Sequence, residues 1–438
     1  MPTTHVSGQD ASDFLEASVA TQRTQHIREA ARRALERCDR IAACTTTPGV
    51  ITRTFLAPPM REVHALLAEW MSAAGVPARV DAIGNLIGTW RGGDASRRLL
   101  IGSHLDTVPC AGRYDGVLGV MLGLAAVEVM SAAGFTAAFD VDVVGFSEEE
   151  GVRFGRPYLG SMALAGMLDD ATLALCDADG CTVREAIGRF GLDPDCIADA
   201  ACARDPRRPI GYLEVHIEQG PVLDALERPL GIVTAIAGQS RLRIRFDGQA
   251  QHAGTCPMPL RRDALAAAAE FITAVEAVAR GTDGLVATVG RIEVSPGASN
   301  VVPGAAELSL DVRHADDAVR RRALDELLVE LRAIDGRRGV QTAVLSENHH
   351  HAVPMDAGLQ DILAGAAVAC GLSPHRMVSG AGHDAAVMAS VCPAGMLFVR
   401  SPGGISHHPD ESVGEDDVAD ALAVLVESIV RLSERSDS

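Results

Sequence analysis

Four short apolar runs punctuate the chain, at residues 99–101, 141–146 (broken by Asp142), 212–215 (containing Glu214) and 396–399. Segments long enough for helices lie between them, and this spacing predicts a parallel or mixed α/β sheet with helical crossovers. Ahead of the first run, a polar leader gives way to Val63, Leu66, Leu67 and Trp70 at helical spacing, closed by Gly84, Gly92 and Gly93. Each apolar run is followed within a few residues by a His or Glu cluster.

From about 226 to 347 the texture differs. Polar and apolar residues alternate from Arg241 to Phe246 and again from Glu307 to Arg313, which predicts half-buried strands. A helix with Leu265, Ala268, Ile272, Val275 and Ala279 on one face fits between them and stops at Gly281. A second carries Val319, Ala323, Leu327, Leu331 and Ile334 and ends near Gly336 to Gly339. The order strand, helix, two strands, helix, strand is that of a ferredoxin-like unit. Apolar runs and His clusters resume after about 350, so the expected organisation is one α/β domain in two parts, 1–225 and 348–438, interrupted by a second domain at 226–347.

Composition removes several chemistries. The 438 residues are 47% hydrophobic and 22% charged, which is ordinary globular usage and supports a sizeable core. All 39 basic residues are Arg, and without a Lys the chain can build no Schiff base, GK[ST] phosphate loop, kinase-type lysine or Ser/Lys dyad. Against 58 acidic side chains they leave a formal net charge of -19, which repels phosphate backbones and anionic lipid. Neither nucleic acid nor a membrane is therefore an expected partner. The ten Cys include no CxxC pair, consistent with reduced thiols, and MPTTHVSGQDASDF lacks the basic and apolar regions of a signal peptide. The longest apolar run, 117–127, is far short of the ~20 residues that span a bilayer, so the expected compartment is the cytoplasm.

The candidate chemistry sits just after the apolar runs. GSHLDTVPCAGRYDGVLG places His104, Asp106 and Asp115 in a loop leading into a helix at Val117; SEEEGVRFG gives Glu148, Glu149 and Glu150; EVHIEQG gives His216; GGISHHPDE gives His407. Open α/β sheets bind ligands at the carboxyl ends of their strands. Three His, one Asp and one Glu delivered to one sheet edge form the nitrogen and oxygen set that divalent zinc or manganese prefers, enough for two ions with Asp115 as the natural bridge. Taken singly, each motif has a plainer reading: a lone SHLD is a satisfied loop histidine, and three Glu at a helix start form a solvated acidic turn. GAGHDA at 380–385 nominally matches GxGxxA, but no clear strand precedes it and no suitable acid follows. His349 to His351 read as a polar loop, and His408 as a neighbour of a ligand. There is no GxSxG elbow or HExxH helix.

Together GSHLDTV, YDG, EEEGVRF, VHIEQGPVLD, GIVTAIAGQSRLRI, QHAGTCPM, SNVVPG, SGAGHDA and GISHHPDE resemble the allantoate amidohydrolase and N-carbamoyl-L-amino-acid hydrolase family. That family belongs to the dinuclear metal amidohydrolases and exopeptidases that include aminoacylase and carboxypeptidase G. The resemblance runs in order from about 45 to 430, and TRTFLAPPM, YLEVHIEQGPVLD and GMLFVRSPGGISHHP look most like allantoate amidohydrolases. It implies a mixed-sheet dinuclear-metal hydrolase domain with an inserted ferredoxin-like α+β lid and dimerisation domain. One metal would be held by His104, Asp115 and His216, the other by Asp115, Glu150 and His407, with Glu149 as general base. Manganese and zinc are the expected ions, with cobalt also accepted. The peptidase branch usually has an acid where this chain has His216, so the His favours the carbamoyl and allantoate branch; Glu148 is assigned no role. His252, Asn300 and Arg313 would lie in the lid and reach the substrate of the partner subunit in a homodimer. Gln219, Gly382 and His383 match further substrate-contacting positions, and a cis peptide is implied between Asp115 and Gly116.

The implied reaction is hydrolysis of the carbamoyl C–N bond of allantoate to ureidoglycine, carbon dioxide and ammonia. The alternative is N-carbamoyl-L-amino-acid hydrolysis, since both substrates join a ureido group to a carboxylate. Arg313 offers a planar fork to that carboxylate, Asn300 a neutral hydrogen bond and His252 a donor to the oxyanion; the plainer reading of Arg313 is a solvated charge on its strand. A non-catalytic binding protein of the same fold would have lost a ligand or the base, and none of the six is missing.

Overall fold

In the computed structural model, which describes residues 8–436, the four apolar runs lie in strands Asp94–His104, Phe139–Phe146, Arg208–Ile217 and Ala394–Val399. Phe139–Phe146 pairs in parallel with Asp94–His104, which pairs in parallel with Arg208–Ile217, which pairs in parallel with Ala394–Val399. Antiparallel strands Leu86–Trp90 and Leu230–Ile236 extend the sheet on either side, so it is mixed. Parallel neighbours need long crossovers, and helix Val117–Ala132 supplies the first. Twelve of its sixteen residues are buried, which is why its sequence is apolar all round instead of striped. Gly119 lets this helix approach the sheet: a Cβ there would stand 2.1 Å from the Val215 carbonyl oxygen. Register matters most at the carboxyl ends, where His104 lies opposite Phe146 and His216 opposite Phe398.

The polar stretch read as a leader is, from Gly8, a helix reaching Ala42; the residues before Gly8 lie outside the described part of the chain. From Ile27 onward the buried face of this helix consists of Ile27, Ala30, Ala31, Ala34, Cys38 and Ile41, so small side chains do the packing and the stripe barely registers as hydrophobic. A short strand, Arg376–Ser379, precedes the GAGHDA segment where none was expected, and the helix after it runs only Asp384–Met388.

The chain divides into two compact units. One takes in the chain up to Thr234, Met355–Met377 and the chain from His383 on; the other takes in Ala235–Pro354 and Val378–Gly382. The second unit has four antiparallel strands in the spatial order Gln341–His350, Gly238–Asp247, Ala305–His314, Val286–Ser295, with helices Ala264–Gly281 and Asp317–Arg338 packed on it. Numbered along the chain, that is the 4-1-3-2 order of a ferredoxin-like fold. Alternating Leu242, Ile244, Phe246, Leu308, Leu310 and Val312 supply the sheet side of the core.

Two details of this unit differ from the pattern. The first helix includes Gly281 and buries Ala264, Ala267, Ala268, Phe271 and Val275, while Leu265 is exposed. In this alanine-rich helix the bulk of Phe271 sets the inward face. His349 and His350 end a strand instead of forming a loop, and His349 Nδ1 lies 2.8 Å from Ser240 Oγ. All ten cysteines are free, and no helix among the described residues is long and apolar enough to cross a membrane.

Candidate metal site

The carboxyl edge of the parallel strands gathers the expected ligands. His104 closes its strand, Glu149 and Glu150 follow Phe139–Phe146, His216 is the penultimate residue of Arg208–Ile217, and His407 lies in the loop after Ala394–Val399. Asp115 stands in the turn before helix Val117–Ala132. Ligand atoms of His104, Asp115 and His216 fall within 4.8 Å of one another, as do those of Asp115, Glu150 and His407, so Asp115 belongs to both groups. A third such group is His104, Glu149 and Glu150, and a fourth is Glu214, His216 and His383.

Hydrogen bonding orients the two buried imidazoles. His104 Nδ1 lies 3.0 Å from the Asp106 carbonyl and His216 Nδ1 lies 2.9 Å from the Ile217 carbonyl, and only an N–H can satisfy a carbonyl oxygen. In the neutral rings both Nε2 atoms then present lone pairs. These two atoms face each other at 3.4 Å, with Asp115 Oδ1 3.8 Å from one and 3.3 Å from the other. Two nitrogen lone pairs and a carboxylate oxygen repel unless a proton or cation stands between them. On the other side, Asp115 Oδ2 lies 3.2 Å from His407 Nε2 and Glu150 Oε1 lies 3.7 Å from it. Both oxygens are buried without a well-aligned hydrogen bond. Buried carboxylate oxygens grouped with imidazole nitrogens make a donor set that fits divalent zinc or manganese.

The electrostatics reflect the same crowding. Burial raises the Glu149 carboxyl well above its usual range; His104 opposes the shift and Glu150 adds to it. Burial and the charge of Asp115 push Glu150 up to about 7. Asp115 is held below its usual range although burial works against it, because His407, His216 and His104 surround it. Asp115 also holds His407 up at about 9, whereas burial lowers His216 to about 4.

The Asp115–Gly116 peptide is not cis; the single cis bond among the described residues is Ser295–Pro296. Gly116 makes the turn with φ 69, a left-handed conformation open to glycine.

Two carboxylates support the cradle: Asp106, placed by the sequence beside His104 but given no role, and Glu411, which the sequence did not single out. Asp106 accepts from the backbone N–H of Glu149 and of Glu150, at 2.9 and 3.2 Å, and so ties their loop to the His104 turn. Glu411 accepts from the N–H of Tyr114 and Asp115 and from Ser406 Oγ, linking the Asp115 turn to the loop of His407. Both lie inside the SHLD and HHPDE motifs, but which backbone they cap depends on folding. Glu148 is fully buried and accepts from Gly151 N–H, shaping its own loop.

Of the substrate-contact candidates, Gln219 and His383 stand beside the cradle. Gln219 Nε2 donates to Asp115 Oδ1 at 3.0 Å and lies 3.2 Å from His407 Nε2. Gln219 and His407 have φ of 59 and 54, a left-handed conformation that costs about 1–3 kcal/mol in such residues and clusters at functional sites. The His383 ring packs edge-on against His216, centroids 4.4 Å apart, and Gly382 is the half-buried residue before it. His252, Asn300 and Arg313 lie in the second unit. His252 pairs with Val301, and Asn300 accepts from Ala253 N–H. His252 Nδ1 accepts from Gly254 N–H at 3.1 Å, which leaves the neutral ring's proton on Nε2. Arg313 is not a simply solvated charge: its Nε and Nη2 grip Asp311 at 2.9 Å each, and Nη1 donates to the Gly380 carbonyl at 2.6 Å.

Residues 100–431 match the model of peptidase family M20/M25/M40. An allantoate deiminase of Arabidopsis thaliana is 39% identical over 86% of this chain and 77% of its own length. An N-carbamoyl-L-amino acid amidohydrolase of Geobacillus stearothermophilus is 38% identical over 88% of this chain and 94% of its own. Among solved structures, a hydantoinase/carbamoylase family amidase from Burkholderia multivorans is similar with a TM-score of 0.86 at 32% identity, over 92% of this chain and 98% of that one.

Proposed function

The chain belongs to peptidase family M20/M25/M40, and from that premise we propose that it hydrolyses the carbamoyl C–N bond of allantoate, using two divalent ions. That it is a hydrolase acting on C–N bonds follows from the family and from its relatives, which are named for allantoate and for N-carbamoyl-L-amino acids. The observation that carries the metal reading is the pair of inward-facing Nε2 atoms beside Asp115, 3.4 Å apart. His104, Asp115 and His216 would hold one ion and Asp115, Glu150 and His407 the other; manganese, zinc or cobalt suits these donors. Such a pair, when bound, supplies a water of lowered pKa and a Lewis acid toward the ureido carbonyl.

The remaining work falls to side chains. Glu149, buried beside Glu150, takes the proton of the attacking water and returns it to the departing nitrogen. Water adds at the carbamoyl carbon and one of its two C–N bonds breaks; the carbamic acid so formed then loses carbon dioxide as its remaining C–N bond breaks, so the products are ureidoglycine, carbon dioxide and ammonia. His252 donates its Nε2 proton to the developing oxyanion. Arg313 keeps two N–H groups beyond those engaged with Asp311 and Gly380, enough to meet a substrate carboxylate, with Asn300, Gln219, Gly382 and His383 as further contacts. The second unit would serve as a lid in a homodimer, offering His252 to the partner's site. Ten free cysteines accord with work in the reducing cytoplasm.

Allantoate is preferred over N-carbamoyl-L-amino acids on the likeness of residues 52–60, 212–224 and 395–409 to allantoate amidohydrolases. Ammonia release from allantoate, beside N-carbamoyl-alanine and N-carbamoyl-methionine, tests the choice. Faster turnover of allantoate is expected; turnover confined to the carbamoyl amino acids would select the alternative.

A further inference from the structure

We infer that Glu214 is a positioning residue for the metal cradle, its carboxylate fixing the spacing between the strand of His104, the strand of His216 and the segment of His383. Glu214 interrupts an apolar run in the middle of a buried strand and is 1% exposed. A carboxylate there is costly unless its oxygens find donors. Both do: Oε1 accepts from Ser103 Oγ–H at 2.8 Å and Oε2 from Ala385 N–H at 2.9 Å. Ser103 precedes His104, Ala385 follows His383 by two positions, and Glu214 shares a strand face with His216. One side chain thus ties together three stretches that each carry an imidazole of the site.

Glu214, His216 and His383 also lie close enough to bind an ion together, but both Glu214 oxygens already serve hydrogen-bond donors. Those bonds run to the strand of His104 and the segment of His383, and through them Glu214 holds the ligands. A leucine would satisfy the apolar pattern of the strand and would break both ties. The role therefore depends on the hydrogen bonds and not on filling space.

This inference rests on the metal reading, and a titration of the full-length protein with manganese or zinc, in competition with a chromogenic chelator, separates the two. Glu214→Leu should weaken binding by ~10-fold or more, the scale of losses seen when a ligand's support is removed. Ser103→Ala, which cuts one tie, should fall between that variant and wild type. Glu214→Gln should stay close to wild type, because its amide oxygen accepts from Ala385 N–H and its amide N–H donates to Ser103 Oγ. Wild-type affinity in a folded Glu214→Leu protein would overturn the inference, as would a Gln variant as weak as the Leu one. If the Leu variant does not fold, unchanged affinity in Ser103→Ala overturns it equally. A wild-type protein that binds neither ion would defeat the metal reading itself, and this inference with it.

Discussion

Glu149 and Glu150 are neighbours with different company. Glu150 Oε1 faces His407, while Glu149 groups with His104 and Glu150 closely enough that distance alone does not separate a base from a ligand. Substitution separates them. With Glu149 as the base, Glu149→Gln keeps its metal content and loses turnover by ~100-fold or more, because only the proton shuttle is gone. Measured side by side, a parallel fall in bound metal would instead make Glu149 a ligand. The ring nitrogens carry a similar lesson. The candidate ligands were legible as residue types, but the tautomers that aim His104 and His216 at one point come from the carbonyls of Asp106 and Ile217, which only the fold supplies.

Among the elements, the turn into helix Val117–Ala132 is the most exacting. Gly116 has φ 69, and a Cβ there would stand 2.5 Å from the His104 ring. Gly116→Ala is therefore expected to displace His104 and weaken metal binding by ~10-fold or more, readable by the same chelator competition; unchanged affinity would show that the ring can give way at no cost. The buried parallel strands were plain in the sequence because burial on both faces makes them continuously apolar. The helix Gly8–Ala42 was not, since alanines and a cysteine pack its inner face. The reach of Glu411 to Asp115 spans 296 positions, a separation that no local pattern encodes. The helix after Asp263 faces inward through Phe271, whose ring centroid lies 6.0 Å from that of Phe246, and not through Leu265.

At the scale of the whole molecule, the 4-1-3-2 unit leaves strand Val286–Ser295 at a sheet edge, with Val286 and Ile292 exposed, a surface on which a second copy could pair. If the active form is a homodimer in which His252 serves the other subunit, mixing Glu149→Gln chains with His252→Ala chains should restore activity, because one site of the mixed dimer then holds both groups. A mixture that stays inactive after verified subunit exchange would confine His252 to its own chain or remove it from catalysis. Everything proposed for the molecule depends first on the cradle acting as a two-metal centre. The most direct test is ammonia release from allantoate by protein dialysed against a chelator, followed as manganese, zinc or cobalt is added back singly. Negligible release from the stripped protein is expected, with recovery that saturates near two ions per chain; undiminished release from protein holding far less than one ion per chain would rule out a two-metal centre.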